Sequence, residues 1–122
     1  MKIRFDRRED GTAEARWTPG MEWSGYPGVV HGGLVSTVLD EAMSKALAAT
    51  GIRTFTAEIR VRFRRPVTAG GEYAIRGWVV DRVKRLITAE ATLMDAAGEE
   101  FAHAWGRFLA PLPPKSGSAA AE

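Results

Sequence analysis

A histidine and two glycines, His31, Gly32 and Gly33, stand at the head of a run with helical periodicity, and nine positions after the histidine comes Asp40. The first turn of a helix carries backbone N–H groups that have no intrahelical acceptor. Glycine leaves them open to a carbonyl oxygen or an anion, which also meets the positive end of the helix dipole. Projected at about 100° per residue, Asp40 falls on the polar border of the helix beside Ser36, Met43, Ser44 and Leu47, a half-dry position. Its neighbour Glu41 has Lys45 four residues on, in the favourable orientation for a surface ion pair. Asp40 has no such cation, and aspartate is a mediocre helix-interior residue, so a solvated-face role accounts for Glu41 and not for Asp40. An electrophile gripped at the helix start, with a carboxylate farther along, is a constellation for acyl transfer, the carboxylate acting as nucleophile or as general base on water. His31 is read first as a structural group at the helix entrance, with loop orientation or substrate contact as alternatives, and His103, alternating within a strand, as structural.

The element that carries these groups is the strongest periodic signal in the chain. Leu34, Val35, Val38, Leu39, Ala42, Met43, Ala46 and Leu47 recur at helical spacing over residues 32–50, and Gly51 stops the run. After it the period changes to 2. Phe55, Ala57, Ile59, Val61 and Phe63 alternate with Thr54, Thr56, Glu58, Arg60, Arg62 and Arg64, which predicts a half-buried strand ending at Pro66. Further strands are expected over 73–82, 86–95 and 99–109, joined by tight turns. Residues 2–17 read as two short β-prone pieces around Glu9, Asp10 and Gly11. The irregular loop from 18 to 30 holds Met21, Trp23 and Tyr26, which with Met43 could line an apolar acyl pocket or simply be core. One long helix followed by long antiparallel strands makes an α+β domain, expected over residues 1–110, with 111–122 as a tail without core-building pattern. A single helix covers one face of such a sheet, and Trp78, Val80 and Ala102 are expected on the other, so an oligomer is predicted. Trp78 and Trp105 are read as packing residues or interface anchors.

Composition excludes several classes. The absence of cysteine among 122 residues removes disulfide frameworks, zinc ribbons and thiolate nucleophiles together. A net charge of +2 is far below a nucleic-acid footprint, although Arg60, Arg62, Arg64 and Arg65 crowd one strand and Arg82, Lys84 and Arg85 one turn. No apolar run is long enough for a membrane span and no signal-like hydrophobic region opens the chain, so a soluble cytoplasmic protein is expected. No His and acid cluster has metal-ligand spacing and no glycine-rich loop follows a strand in the dinucleotide pattern, so no metal is expected.

The run Gly25, Tyr26, Pro27, Gly28, Val29, Val30, His31, Gly32, Gly33, followed by Thr37, Asp40, Glu41 and Ala42, closely resembles the His-Gly-Gly segment of hotdog-fold acyl-CoA thioesterases of the phenylacetic-acid-pathway (PaaI-like) type. The stretch Val61, Arg62, Phe63, Arg64, Arg65, Pro66, Val67 resembles that family's second strand, and the likeness spans roughly residues 25–109. The resemblance implies a five-stranded antiparallel sheet wrapped around a long central helix, paired two-fold and assembling to a homotetramer. It implies hydrolysis of a short- or medium-chain or aromatic acyl-CoA, with coenzyme A as part of the substrate and no other cofactor. Carried over by position, Gly32 would bind the thioester carbonyl through its N–H, Asp40 would be the catalytic carboxylate, and Thr56 would orient the attacking water, the groups meeting across a dimer interface. His31, Gly33 and Tyr26 become substrate contacts, and Arg64 and Arg85 become candidates for the coenzyme A phosphates. The chain departs from several relatives at Ser24 and Gly25, where an asparagine supplies a second carbonyl contact. A non-hydrolytic acyl-CoA-binding module is the main alternative. A hydratase is disfavoured because His31 and Asp40 would stand some 13 Å apart on one helix.

Overall fold

The computed structural model describes residues 3–8, 10–26 and 28–112, the side chains of Trp23 and Tyr26 excepted. The chain opens with a hairpin of β1 (Asp6–Arg8) and β2 (Thr12–Trp17), turned at Gly11. A single 3₁₀ turn and a two-stranded ribbon of β3 (Ser24–Tyr26) and β4 (Val29–Val30) lead into α1 (Gly32–Ala49). Then come β5 (Phe55–Phe63), β6 (Tyr73–Val83), β7 (Leu86–Asp95) and β8 (Glu100–Leu109). The helix and the last three strands lie within a residue or so of their expected bounds. Gly51 takes φ +82°, a conformation that a helix cannot continue through, and so ends α1.

All strands except the β3–β4 ribbon join one antiparallel sheet in the order β1-β2-β6-β7-β8-β5. It therefore has six strands instead of the expected five, the extra one being the three-residue arm β1 at one edge. The helix lies across one face of the sheet and buries Val35, Val38, Leu39, Ala42, Met43, Ala46 and Leu47 in a core with Ile75, Ile87, Leu93 and Phe108. A fully buried Leu or Ile stabilises the fold by about 1.5–3 kcal/mol relative to exposure, so this layer is the main cohesive element. Helix and sheet approach tightly at Gly77, where an added Cβ would stand 2.5 Å from the Ala42 carbonyl oxygen. Only a residue without a side chain lets helix and β6 meet at that spacing.

Two expectations about faces are corrected. Ala102 points into the core with no exposure, because β8 places Ala102, Ala104 and Phe108 inward and His103 and Trp105 outward. β5 is less buried than its alternation suggests: Phe55 and Phe63 are 54% and 52% exposed, since β5 is the far edge of the sheet and only β8 flanks it. Among the described residues its outer edge has no hydrogen-bonded neighbour, along nine residues. No helix among the described residues is long and apolar enough to cross a membrane. Of the expected tail, residues 113–122 lie outside the described residues.

Candidate active site

The segment before the helix is pinned by backbone pairing. Val30 N–H donates to the Val67 carbonyl at 2.8 Å and Ala69 N–H to that of Gly28 at 2.9 Å, which fixes where α1 begins. His31 is the N-cap: its Nδ1 accepts from Gly33 N–H at 3.1 Å, while its carbonyl takes the amides of Leu34 and Val35. The structural reading of His31 thus has a definite form. The same bond occupies the amide of Gly33, so the Gly33 N–H is already committed in this arrangement. Gly32 N–H has no acceptor among the described residues. A Cβ at Gly32 would lie 3.6 Å from the ring of Phe63, and the two residues border a cleft of about 290 Å³ lined by Val30, Val35, Pro66 and Val67. Sequence reading did not single out Phe63; its signal is position, at the end of β5 opposite the helix start.

Asp40 lies two turns farther along α1, half-buried, and Thr56 Oγ1 donates to its Oδ1 at 3.2 Å. Burial pushes the Asp40 carboxyl above the usual carboxylate range; the Thr56 hydrogen bond opposes that rise and the neighbouring Glu41 carboxylate adds to it. Glu41 itself pairs with Lys45 at 3.4 Å, as expected. Strict alternation along β5 would put Thr56 on the outer face with Glu58, Arg60 and Arg62. A bulge prevents this: Thr56 pairs with Phe108 and Glu58 with the adjacent Arg107, so Ala57 is supernumerary and Thr56 faces the helix.

Asp40 and Thr56 are therefore brought together, and Gly32 with Phe63, but the two pairs are separate. Eight residues of helix set Gly32 and Asp40 about 12 Å apart, and seven residues of strand set Thr56 and Phe63 about 23 Å apart. Of the two arginines expected at the site, Arg64 borders the Gly32 cleft and Arg85 does not. Arg64 Nε contacts Glu100 Oε1 at 3.0 Å, and Arg85 Nε donates to the Ala110 carbonyl at 2.9 Å at the opposite end of β8. Tyr26 contributes its backbone to β3, and its side chain is outside the described set. Ser24, at the position of the missing asparagine, keeps a buried hydroxyl with no hydrogen-bond partner among the described residues. No group of three His, Cys, Asp or Glu side chains among the described residues is placed to hold a metal ion.

Comparison with known proteins gives this arrangement a family. The chain is 25% identical over 114 residues to a putative esterase of Saccharolobus solfataricus, SSO1253, covering 88% of this chain and 72% of that one. It is 26% identical over 83 residues to the uncharacterized mitochondrial membrane protein FMP10 of Saccharomyces cerevisiae, of whose length the match spans only 34%. Among solved structures, the thioesterase superfamily protein RHA08564 superposes with a TM-score of 0.83 at 26% identity, over 88% of this chain and 55% of that one. A hypothetical thioesterase from Streptococcus pneumoniae, crystallised with coenzyme A, gives a TM-score of 0.84 at 14% identity, over 90% and 86%. The same hypothetical thioesterase has also been solved as a threonine-to-alanine and as an aspartate-to-alanine mutant. The PaaI protein of the Escherichia coli phenylacetic acid degradation operon gives a TM-score of 0.82 at 19% identity, over 88% and 82%. The helix wrapped by an antiparallel sheet is the hotdog fold of these proteins, and the thioesterase superfamily pattern matches residues 27–102, so the chain belongs to the thioesterase superfamily.

Proposed function

We infer that the protein is an acyl-CoA thioesterase of the PaaI-like type that works as a dimer paired along β5, on short- or medium-chain or aromatic acyl groups. The observation that carries this reading is the distribution of the site along one open edge strand. Thr56 and Asp40 stand at one end of β5, and Phe63 and the Gly32 amide at the other. When two β5 edges pair antiparallel about a two-fold axis, the Gly32 end of each protomer comes beside the Asp40 end of its partner. Two complete sites result, where each chain alone has two halves.

In each site the Gly32 N–H, at the positive end of α1, polarises the thioester carbonyl and stabilises the oxyanion that forms. The orphaned Ser24 hydroxyl supports a second donor there. Thr56, whose hydroxyl proton is given to Asp40, keeps acceptor lone pairs that hold a water. Asp40 takes that water's proton as oxygen attacks the carbonyl carbon. Collapse of the tetrahedral intermediate breaks the C–S bond, and the proton passes to the departing thiolate, giving free acid and coenzyme A. Burial, by raising the Asp40 carboxyl, makes it a stronger base than a surface aspartate. The reaction needs only water and thioester.

The test is thiol release from a panel of acyl-CoA thioesters with Asp40→Asn as control. Loss of a general base costs a factor of about 10² to 10⁴ in turnover. Coenzyme A binding without thiol release from any thioester would make the protein a binding module instead. Single turnover in ¹⁸O-water adds one discriminating outcome: label retained in Asp40 marks direct attack followed by hydrolysis at the Asp40 carbonyl.

A further inference from the structure

The face of the sheet turned away from the helix carries a second constellation that the proposed hydrolysis does not use. His103 sits between two glutamates, its Nδ1 2.7 Å from Glu100 Oε2 and its Nε2 2.9 Å from Glu90 Oε1. An ionised carboxylate only accepts, and a neutral imidazole has one N–H, so the trio holds either a doubly protonated ring or a protonated carboxyl. Both arrangements give Glu90, His103 and Glu100 together a single negative charge, which Arg64 on Glu100 balances. The ring of His103 is also the middle of an aromatic row, 5.9 Å from Trp78 and 4.6 Å from Trp105. Arg60 and Arg62 lie over Trp105 at 5.4 and 5.9 Å, and Arg76 over Trp78 at 5.8 Å. None of these three guanidinium groups has a carboxylate partner among the described residues. Beside Trp105 opens a cleft of about 450 Å³, floored by Val80, which is 49% exposed, and walled by Arg60, Arg107, Glu58 and Glu90.

We propose that this outer face is a nucleotide-binding site, separate from the thioester site, in which a base stacks on Trp105 in place of the Arg60 and Arg62 guanidinium groups, which turn aside to hold its phosphates. Three features argue for that occupant. Uncompensated arginines beside a half-exposed indole match a planar ring joined to an anion. Glu58 and Glu90 at the wall, which would repel a bare polyphosphate, accept hydrogen bonds from ribose hydroxyls or a ring amino group. The cleft has the volume of a small-molecule site. A second copy of the chain fits less well, because two-fold docking of this face on itself would set one group of uncompensated arginines against another.

The experiment is calorimetric titration of the full chain with ADP, in the presence of saturating coenzyme A to fill the thioester site. ADP is expected to bind under those conditions, inorganic tripolyphosphate at least about tenfold more weakly, since base stacking is then lost. Arg60→Ala/Arg62→Ala and Trp105→Ala should each weaken ADP at least about tenfold while leaving thiol release intact. The arginine pair lies on the strand surface and keeps the test available should the tryptophan variant fail to fold. The proposal is overturned if ADP does not bind at millimolar concentration, if coenzyme A displaces it, or if both variants bind it like the parent. It is equally overturned if sedimentation shows that Arg60→Ala/Arg62→Ala changes the oligomer mass, which would make this face a contact between copies.

Discussion

Replacing Thr56 by valine removes a hydroxyl at nearly constant volume, and with it both the hydrogen bond to Asp40 and the proposed hold on the attacking water. A hydrogen bond to a charged group contributes about 1.5–3 kcal/mol. At 3.2 Å this one is long, so the lower part of the range applies, about 1.5–2 kcal/mol. If that interaction acts in the transition state, turnover falls by a factor of about 10 to 30. The pH dependence supplies a second, independent reading. Burial raises the Asp40 carboxyl and the Thr56 bond opposes the rise, so deleting the bond moves the carboxyl further up. The base is active when ionised, and the acid limb of kcat therefore shifts to higher pH in Thr56→Val, while Thr56→Ser keeps the limb where it is. The measurement is thiol release across the acid range under saturating thioester for the parent and both variants. Turnover of Thr56→Val within twofold of the parent, or an acid limb that stays put or moves down, would refute the coupling of these two residues.

Four further outcomes are expected. Because the folded state raises the Asp40 carboxyl, its stabilising effect is present at low pH and is lost as pH rises through the raised value; Asp40→Asn should therefore melt higher than the parent at neutral pH and equal to it in acid. Mixing inactive Asp40→Asn with inactive Gly32→Val and refolding them together should restore activity to about a quarter of the parent, since half the dimers are mixed and each mixed dimer has one intact site; no recovery would place both groups in one chain's site. Gly77→Ala should cost about 1–3 kcal/mol in denaturant unfolding, because its Cβ meets the Ala42 backbone and neither element can yield alone. Glu100 runs opposite to Asp40: burial raises its carboxyl, but the Thr92 and His103 hydrogen bonds and the charges of His103 and Arg64 outweigh that and hold it below the usual range. Its contribution is present above the unfolded value and lost as pH falls through the lowered one, so Glu100→Gln should lower the melting temperature at neutral pH and have no effect in strong acid.

What the sequence revealed depended on whether a signal was local. The helix announced itself by apolar spacing from Leu34 to Leu47, and β6 to β8 by alternation and turns, because periodicity is a property of neighbouring residues. Asp40 stood out by lacking the i+4 cation that explains Glu41. Thr56 could be located from resemblance only; alternation turns it the wrong way, since one supernumerary residue at Ala57 inverts the parity and no spacing rule anticipates it. The arginine assignments depended on long-range partners. Arg64 meets Glu100 and Arg85 meets Ala110, thirty-six and twenty-five residues away, and nothing near either residue foretells it. The same holds for His103, whose two glutamates come from different strands, and for Ala102, whose face was settled by the register of β8 on β7.

The bare margin of β5 has a cost outside catalysis. A nine-residue strand with unclaimed amides and carbonyls and two phenylalanines near its ends is a template on which any extended polypeptide can grow. Charged residues on an edge strand, here Arg60 and Arg62, are a device that discourages indiscriminate strand addition. Concealing that ribbon would protect solubility and assemble the chemistry in one event, so a chain kept from its mate would be idle and would carry a bare edge.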